Sequence, residues 1–190
     1  MTLSTAYAWP SHNLFVAEEP AAPAIRWSTL YLDTSVINYL TARISPVMPV
    51  ARHQRLTRVW WHRYRHHHTL RISSRVVDEA KKGDFTASTA RLNALMQIVS
   101  LPFDTRSELL SRRFAGAGLL PERARSDAAH IAIAATNNIP LLVTWNCRHL
   151  ANRATHRAIV RACETEGLRC PEFCTPEHLM RSYGHARSHS

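Results

Sequence analysis

The segment Ser28-Thr-Leu-Tyr-Leu-Asp33-Thr-Ser-Val-Ile-Asn-Tyr-Leu40 decides the fold class. Its first half is an apolar run with the length of a buried strand, and residues 36–40 have the pattern of a helix. Thr34 and Ser35 stand between the two as helix-capping residues. A strand that feeds a helix through a tight polar turn predicts an α/β domain with a parallel sheet.

The same alternation continues along the chain. Further strands are predicted at residues 70–74, 99–101, 141–145 and 170–174, with the apolar run 141–145 at the buried centre of the sheet. Pro49 opens a long amphipathic helix, and further helices are predicted at residues 76–80, 90–98, 105–114, 127–135, 147–163 and 177–180. Ser126 is predicted to cap the helix that starts at Asp127.

The chain divides into three segments. Residues 1–27 contain three prolines and no helical or strand period, so we expect a flexible N-terminal extension. Residues 28–181 form the predicted domain, and residues 182–190 a polar C-terminal tail. Of the 190 residues, 45% are hydrophobic, which excludes a disordered or fibrous chain.

The expected compartment is the cytoplasm. No apolar run approaches the roughly 18 residues of a membrane helix, so no membrane span is expected. The first ten residues contain no Lys or Arg before an apolar core, and Glu18 and Glu19 interrupt the next segment, unlike a secretory signal. Four clustered cysteines are too few to cross-link a domain of this size, and we interpret them as reduced thiols.

The charge balance is strongly positive. Lys and Arg number 24 against 14 Asp and Glu, which gives a net charge of +10 and favours a polyanionic partner. The polar face of the helix opened by Pro49 is almost wholly basic. The candidate RNA-contacting residues lie on it and just after it: Arg52, Arg55, Arg58, Arg63 and Arg65.

The scarce acids map to one edge of the predicted sheet. Asp33 ends the first strand, Glu79 lies at the start of the helix after the second, Asp127 begins a helix, and Asn146 follows the strand after it. Each alone is an ordinary capping or turn residue. Together, at the carboxyl ends of parallel strands, they predict a site for Mg²⁺ or Mn²⁺, which prefer oxygen ligands.

Four blocks carry a family resemblance. They are Leu32-Asp33-Thr34-Ser35-Val36-Ile37-Asn38-Tyr39, Ile72-Ser73-Ser74 with Glu79, Asp127-Ala-Ala-His130-Ile-Ala-Ile-Ala134, and Leu142-Val-Thr144-Trp145-Asn146-Cys-Arg-His149-Leu-Ala-Asn152. In order and spacing they resemble the blocks of PIN-domain ribonucleases, in particular the VapC-like toxins of type II toxin–antitoxin pairs. The resemblance spans residues 28–181.

The resemblance implies a three-layer α/β/α domain around a parallel sheet of four or five strands. It implies an endoribonuclease in which Asp33, Glu79 and Asp127 hold Mg²⁺ or Mn²⁺, with Asn146 where many members have a fourth acid. Ser35 (or Thr34) would position the attacking water. The expected partners are an RNA substrate, a small cognate antitoxin protein and a second copy of the chain in a homodimer.

Two other functions stay open at this stage. Asn146 in place of the fourth acid favours a PIN-like RNA-binding or regulatory module that has lost catalysis. A DNA nuclease of the same fold is the second alternative.

Several residues have a structural interpretation instead. His130 lies one turn after Asp127 and faces the same way, so that it could assist the site, but on an Ala/Ile helix we interpret it as a core residue. Trp60, Trp61 and Tyr64 are interpreted as core or dimer contacts. Cys163, Cys170, Cys174 and His178 lack the second knuckle of a zinc site, so free thiols are the preferred interpretation.

Overall fold

A five-stranded, all-parallel sheet forms the centre of the protein. The computed structural model describes residues 29–116, 125–146 and 153–186. The strands are β1 (Thr29–Leu32), β2 (Thr69–Ser73), β3 (Val99–Leu101), β4 (Leu141–Val143) and β5 (Glu172–Cys174). Their order across the sheet is β3-β2-β1-β4-β5.

Eight α-helices are described along the chain. They are α1 (Thr34–Thr41), α2 (Met48–Arg63), α3 (Ser74–Ala80), α4 (Phe85–Leu95), α5 (Thr105–Gly116), α6 (Arg125–Thr136), α7 (Arg153–Thr165) and α8 (Pro176–Ala186). A short 3-10 helix, Arg65–His67, lies between α2 and β2.

The strand order divides the helices into two layers. The connections between parallel strands are right-handed. The connections from β1 to β2 and from β2 to β3 therefore place α1 to α4 on one face of the sheet, and the connections from β3 to β4 and from β4 to β5 place α5 to α7 on the other face. The packing agrees, since α1 contacts α2, α3 and α4, whereas α5 contacts α6 and α7. The predicted three-layer α/β/α fold with a parallel sheet is therefore confirmed, with five strands.

The core is built on β1 and α6. Leu30, Tyr31 and Leu32 are fully buried, and so is almost every residue of α6 from Ala128 to Ala135. The sheet places the carboxyl ends of β1, β2 and β4 beside one another, because β1 pairs with both neighbours in parallel register. This edge of the sheet carries the candidate site.

Three local predictions are wrong, for reasons of strand pairing, helix capping and a long-range hydrogen bond. The central strand is β1, flanked by β2 and β4, and not the run at residues 141–145. The helix predicted from residue 90 begins at Phe85, because Asp84 caps it by accepting a hydrogen bond from the Ala87 amide. Ser126 lies inside α6, where its hydroxyl donates to Glu79 instead of capping the helix.

The faces and ends of two helices also differ from expectation. Trp60 and Trp61 are core residues as predicted, but Val59 is exposed. The last helix runs past residue 181 into the predicted tail, where the Tyr183 ring stacks on Tyr64. The predictions for residues 1–27, for residues 147–152 and for residues 187–190 lie outside the described residues.

None of the helices in the described ranges combines the length and the apolar character needed to cross a membrane.

Candidate active site

Asp33 occupies the junction between β1 and α1. Its backbone amide donates to the Val143 carbonyl at 3.0 Å, so the pairing of β1 with β4 continues up to the site. Its side chain caps α1, the residue is only 3% exposed, and its Oδ2 accepts hydrogen bonds from the Ser35 hydroxyl at 2.8 Å and from the Thr144 hydroxyl. The cap of α1 is therefore Asp33 and not the predicted Thr34 or Ser35.

Asp127 lies in the first turn of α6 and lines a recess that Asp33 also lines. The recess is lined by Asp33, Asp127, His130, Ile131, Leu142 and Thr144. Burial and the negative charge of Asp33 raise the pKa of Asp127 to about 6, against an opposing hydrogen bond from Asn146. Asp127 is thus ionised at neutral pH but is held in an environment that disfavours the charge.

Asn146 contacts Asp127 directly. Its Nδ2 donates to Asp127 Oδ1 at 3.1 Å, and its backbone amide donates to Thr144 Oγ1 at 2.9 Å. An ionised acid at this position could not donate such a hydrogen bond. Asn146 therefore stabilises the ionised form of Asp127, whereas a fourth carboxylate would add repulsion.

Glu79 approaches from α3 on the other side of β1 and is bound by three side chains. Its carboxylate accepts hydrogen bonds from the hydroxyls of Thr34 and Ser126 and from His130 Nε2, the last at 3.4 Å. Burial alone would raise the pKa of Glu79, but these hydrogen bonds and the charge of His130 outweigh burial and hold it at about 2. Glu79 is therefore a firmly ionised, firmly positioned carboxylate.

His130 connects the acids, a role that its interpretation as a core residue missed. It is only 1% exposed, as that interpretation expects, but its Nε2 lies 3.5 Å from Asp33 Oδ1 and 3.4 Å from Glu79 Oε2. Its Nδ1 lies 2.8 Å from the Tyr31 hydroxyl, which in turn lies 2.6 Å from Ser73 Oγ. Burial alone would lower the pKa of His130, but the hydrogen bond to Glu79 and the surrounding carboxylates raise it.

The donor chemistry fits Mg²⁺ or Mn²⁺. Among the described residues, no three His, Cys, Asp or Glu side chains are spaced to hold a metal ion as they stand. Mg²⁺, however, usually takes one or two carboxylates and keeps its remaining ligands as water. Asp33 and Asp127 line one recess and supply two carboxylates of this kind. Glu79, bound to Thr34, Ser126 and His130, lies outside this pair.

The predicted RNA-contacting arginines divide into two groups. Arg52 pairs with Glu177 at 2.7 Å, and Arg58 donates to the carbonyls of Leu40 and Ala42, so both are engaged within the protein. Arg65 lies over the Trp61 ring at 4.6 Å. Arg55 and Arg63 are exposed and have no ion pair among the described residues.

Cys174 lies next to this edge, since its backbone carbonyl accepts a hydrogen bond from the Thr144 amide at 2.9 Å. Cys163, Cys170 and Cys174, at the end of α7 and around β5, form no disulfide in the described part of the chain, and Cys147 lies outside the described residues.

The comparisons with known proteins find similarity among the solved structures. No protein-family model matches the sequence, and no curated protein matches it. The chain is similar to a chain in the crystal structure of VapBC2 from Rickettsia felis bound to a DNA fragment from their promoter. The two are 15% identical with a TM-score of 0.44, over 77% of this chain and 98% of that chain. Values this low assign no function, so the side chains described above must carry the proposal.

Proposed function

We propose that the protein is a divalent-metal-dependent endoribonuclease of the PIN type. The observation that carries the proposal is the pair of buried carboxylates, Asp33 and Asp127, on one recess at the carboxyl edge of a parallel sheet. Such carboxylates are costly in a chain that has only 14 acids, unless a cation neutralises them. RNA as the substrate is taken from the resemblance of the four sequence blocks and from the net charge of +10.

Mg²⁺ or Mn²⁺ bound between Asp33 and Asp127 would lower the pKa of a water molecule and neutralise charge on the phosphate. The Ser35 and Thr144 hydroxyls both bind Asp33 Oδ2 and so fix the plane of that carboxylate. The Ser35 oxygen also accepts from the Trp145 amide at 2.9 Å. Ser35 therefore positions a carboxylate in this proposal, in place of the water-positioning role predicted for it.

Glu79 and His130 support the site without joining the carboxylate pair. His130 lies within 3.5 Å of both Asp33 and Glu79, and Tyr31 holds its other ring nitrogen. The chain Ser73–Tyr31–His130 thus fixes the imidazole through a fully buried residue of β1. In the proposal, His130 keeps the like-charged Asp33 and Glu79 apart and oriented.

The proposed biological role is that of a cytoplasmic toxin with a protein antitoxin. The chain has 24 Lys and Arg residues against 14 Asp and Glu residues, and this positive charge favours an acidic antitoxin segment that covers the basic surface and competes with RNA. A homodimer is proposed from the same resemblance. A complex between toxin and antitoxin that is insensitive to salt would contradict this assignment of the partner.

The test of the proposed activity is cleavage of a labelled RNA by purified protein with Mn²⁺. We expect cleavage by the wild type, none in the presence of EDTA, and none by Asp33→Asn. Arg106→Met, on α5 in the other helix layer, is the matched control and should cleave normally. Full activity of Asp33→Asn would overturn the proposal.

One observation favours a second candidate, an RNA-binding module without catalysis. Asn146 replaces the fourth acid, and no three of the described side chains of metal-binding type are spaced to hold an ion. Isothermal titration with Mn²⁺ separates the two functions. Absence of binding at millimolar Mn²⁺ with RNA binding intact would favour the second candidate.

A further inference from the structure

Arg75 is a half-buried cation at the start of α3, the helix that carries Glu79, but it has no carboxylate partner among the described residues. It is the second residue of α3, and Glu79 follows four residues later, so the two side chains lie on the same face of the helix. Arg and Glu four residues apart on a helix usually form an ion pair, but Arg75 and Glu79 do not. Glu79 turns instead to Thr34, Ser126 and His130.

The guanidinium of Arg75 is held by an aromatic ring. Its central carbon lies 5.5 Å from the centroid of the Phe103 ring, and its Nε is buried with no hydrogen-bond partner in the described part of the chain. Other arginines differ, since Arg52 and Arg112 each bind a glutamate at 2.7 to 2.8 Å. A buried N–H without an acceptor is costly, and an anionic ligand that reaches the guanidinium would offset this cost.

Arg75 lies on the β2–β3 side of the same sheet edge. The Phe103 amide donates to Ser74 Oγ at 3.2 Å, which ties the segment after β3 to the start of α3. The preceding residue, Ser73, contacts the Tyr31 hydroxyl that holds His130.

We propose that Arg75 binds a phosphate of the RNA strand beside the phosphate that is cut. The proposal rests on the proposed nuclease function, because the recess between Asp33 and Asp127 defines which phosphate is cut. A guanidinium suits this task, since its planar fork can give two parallel hydrogen bonds to phosphate oxygens. The contact with the Phe103 ring restricts where the guanidinium can lie.

An RNA phosphate is favoured over an acidic partner protein by position. Arg75 shares its helix face with Glu79 and lies two residues after Ser73, whose hydroxyl contacts the Tyr31 hydroxyl that holds His130, so it lies at the same edge of the sheet as the carboxylates. The exposed arginines without an ion pair among the described residues, Arg55 and Arg63, lie on a different helix, α2, which is the better surface for an acidic protein segment.

The test measures RNA binding without hydrolysis. Fluorescence anisotropy of a short labelled single-stranded RNA is followed in EDTA for the wild type, Arg75→Met, Arg75→Lys and the control Arg106→Met. We expect Arg75→Met to bind about tenfold more weakly, with a salt slope smaller by about one. Arg75→Lys should recover part of the affinity, and Arg106→Met should change it little.

Each outcome decides the proposal. Unchanged affinity and salt slope in a folded Arg75→Met, judged by circular dichroism, would overturn it. An unchanged affinity for RNA with weaker binding of an acidic antitoxin peptide would also overturn it, in favour of the protein partner. If Arg75→Met does not fold, Phe103→Leu tests the same contact, and equal RNA binding by that variant overturns the proposal.

The result is independent of catalysis. If the wild type binds RNA through Arg75 but does not cleave it with Mn²⁺, the proposed hydrolysis fails and the phosphate site stands. If the wild type does not bind RNA at all, the substrate and the phosphate site fail together.

Discussion

Replacing Asp127 by asparagine should stabilise the metal-free protein. Burial and the neighbouring charge of Asp33 raise the pKa of Asp127 from 3.8 to about 6. The ionised side chain therefore destabilises the fold at neutral pH, a cost that a functional site can retain. The substituted amide would keep an oxygen to accept the Asn146 hydrogen bond and would carry no charge.

The magnitude follows from the pKa. A tenfold change in an ionisation constant corresponds to about 1.4 kcal/mol, so moving the pKa from 3.8 to about 6 corresponds to about 3 kcal/mol. Because the pKa is higher in the folded state, the fold binds a proton that the unfolded chain releases, and stability falls as the pH rises from about 4 to about 6. The advantage of Asp127→Asn is then complete above about pH 6, about half as large at pH 5, and absent below about pH 4.

The assay is guanidinium unfolding in EDTA at several pH values. Glu79→Gln is the matched control, because it removes the same charge from the same site but should destabilise the protein. Its pKa of about 2 lies below the ordinary 4.5, so the ionised form contributes stability above pH 4.5 that is lost as the pH falls toward 2. Equal or lower stability of Asp127→Asn at about pH 8 would refute the reasoning.

Three further predictions concern the same side chains. Tyr31→Phe should lower the free energy of unfolding by about 1 to 3 kcal/mol, because it removes a hydrogen-bond partner from buried Ser73 and His130. Chemical denaturation measures this, and an unchanged free energy would show that the hydrogen bonds of Tyr31 add no stability. The affinity for Mn²⁺ should fall by about tenfold per pH unit below about pH 6, because protons then compete with the metal for Asp127. Titration calorimetry measures this affinity, and an affinity that does not change with pH would exclude Asp127 as a ligand. Asn146→Asp should lower the melting temperature without metal, because repulsion from Asp127 replaces a hydrogen bond. The same variant should show a larger increase in melting temperature on addition of Mn²⁺ than the wild type, and a smaller increase would contradict the proposed cation position.

The parts of the fold that local sequence decides were predictable. The strand–cap–helix unit around Asp33, the edge strand near Cys174 and the helix from Thr105 follow from apolar runs and capping residues within a few positions. Sequence reasoning also placed Asp33 and Asp127 at one sheet edge, since parallel strands must end together.

The parts that depend on distant contacts were not predictable from local pattern. Ser126 looks like a helix cap, yet its partner Glu79 lies 47 residues away. His130 looks like a core residue on an apolar helix, and its contacts reach 51 residues to Glu79 and 99 residues to Tyr31. The one available signal was its position three residues after Asp127, which turns both side chains to the same side of α6.

The most direct test of the central claim is Mn²⁺-dependent cleavage of RNA by Asp127→Asn. Since this variant should be at least as stable as the wild type, lost activity cannot be attributed to unfolding. We expect that the wild type cleaves RNA with Mn²⁺ and stops in EDTA, while Asp127→Asn does not cleave. Cleavage by Asp127→Asn at the wild-type rate, or by the wild type in EDTA, would contradict a cation held between Asp33 and Asp127.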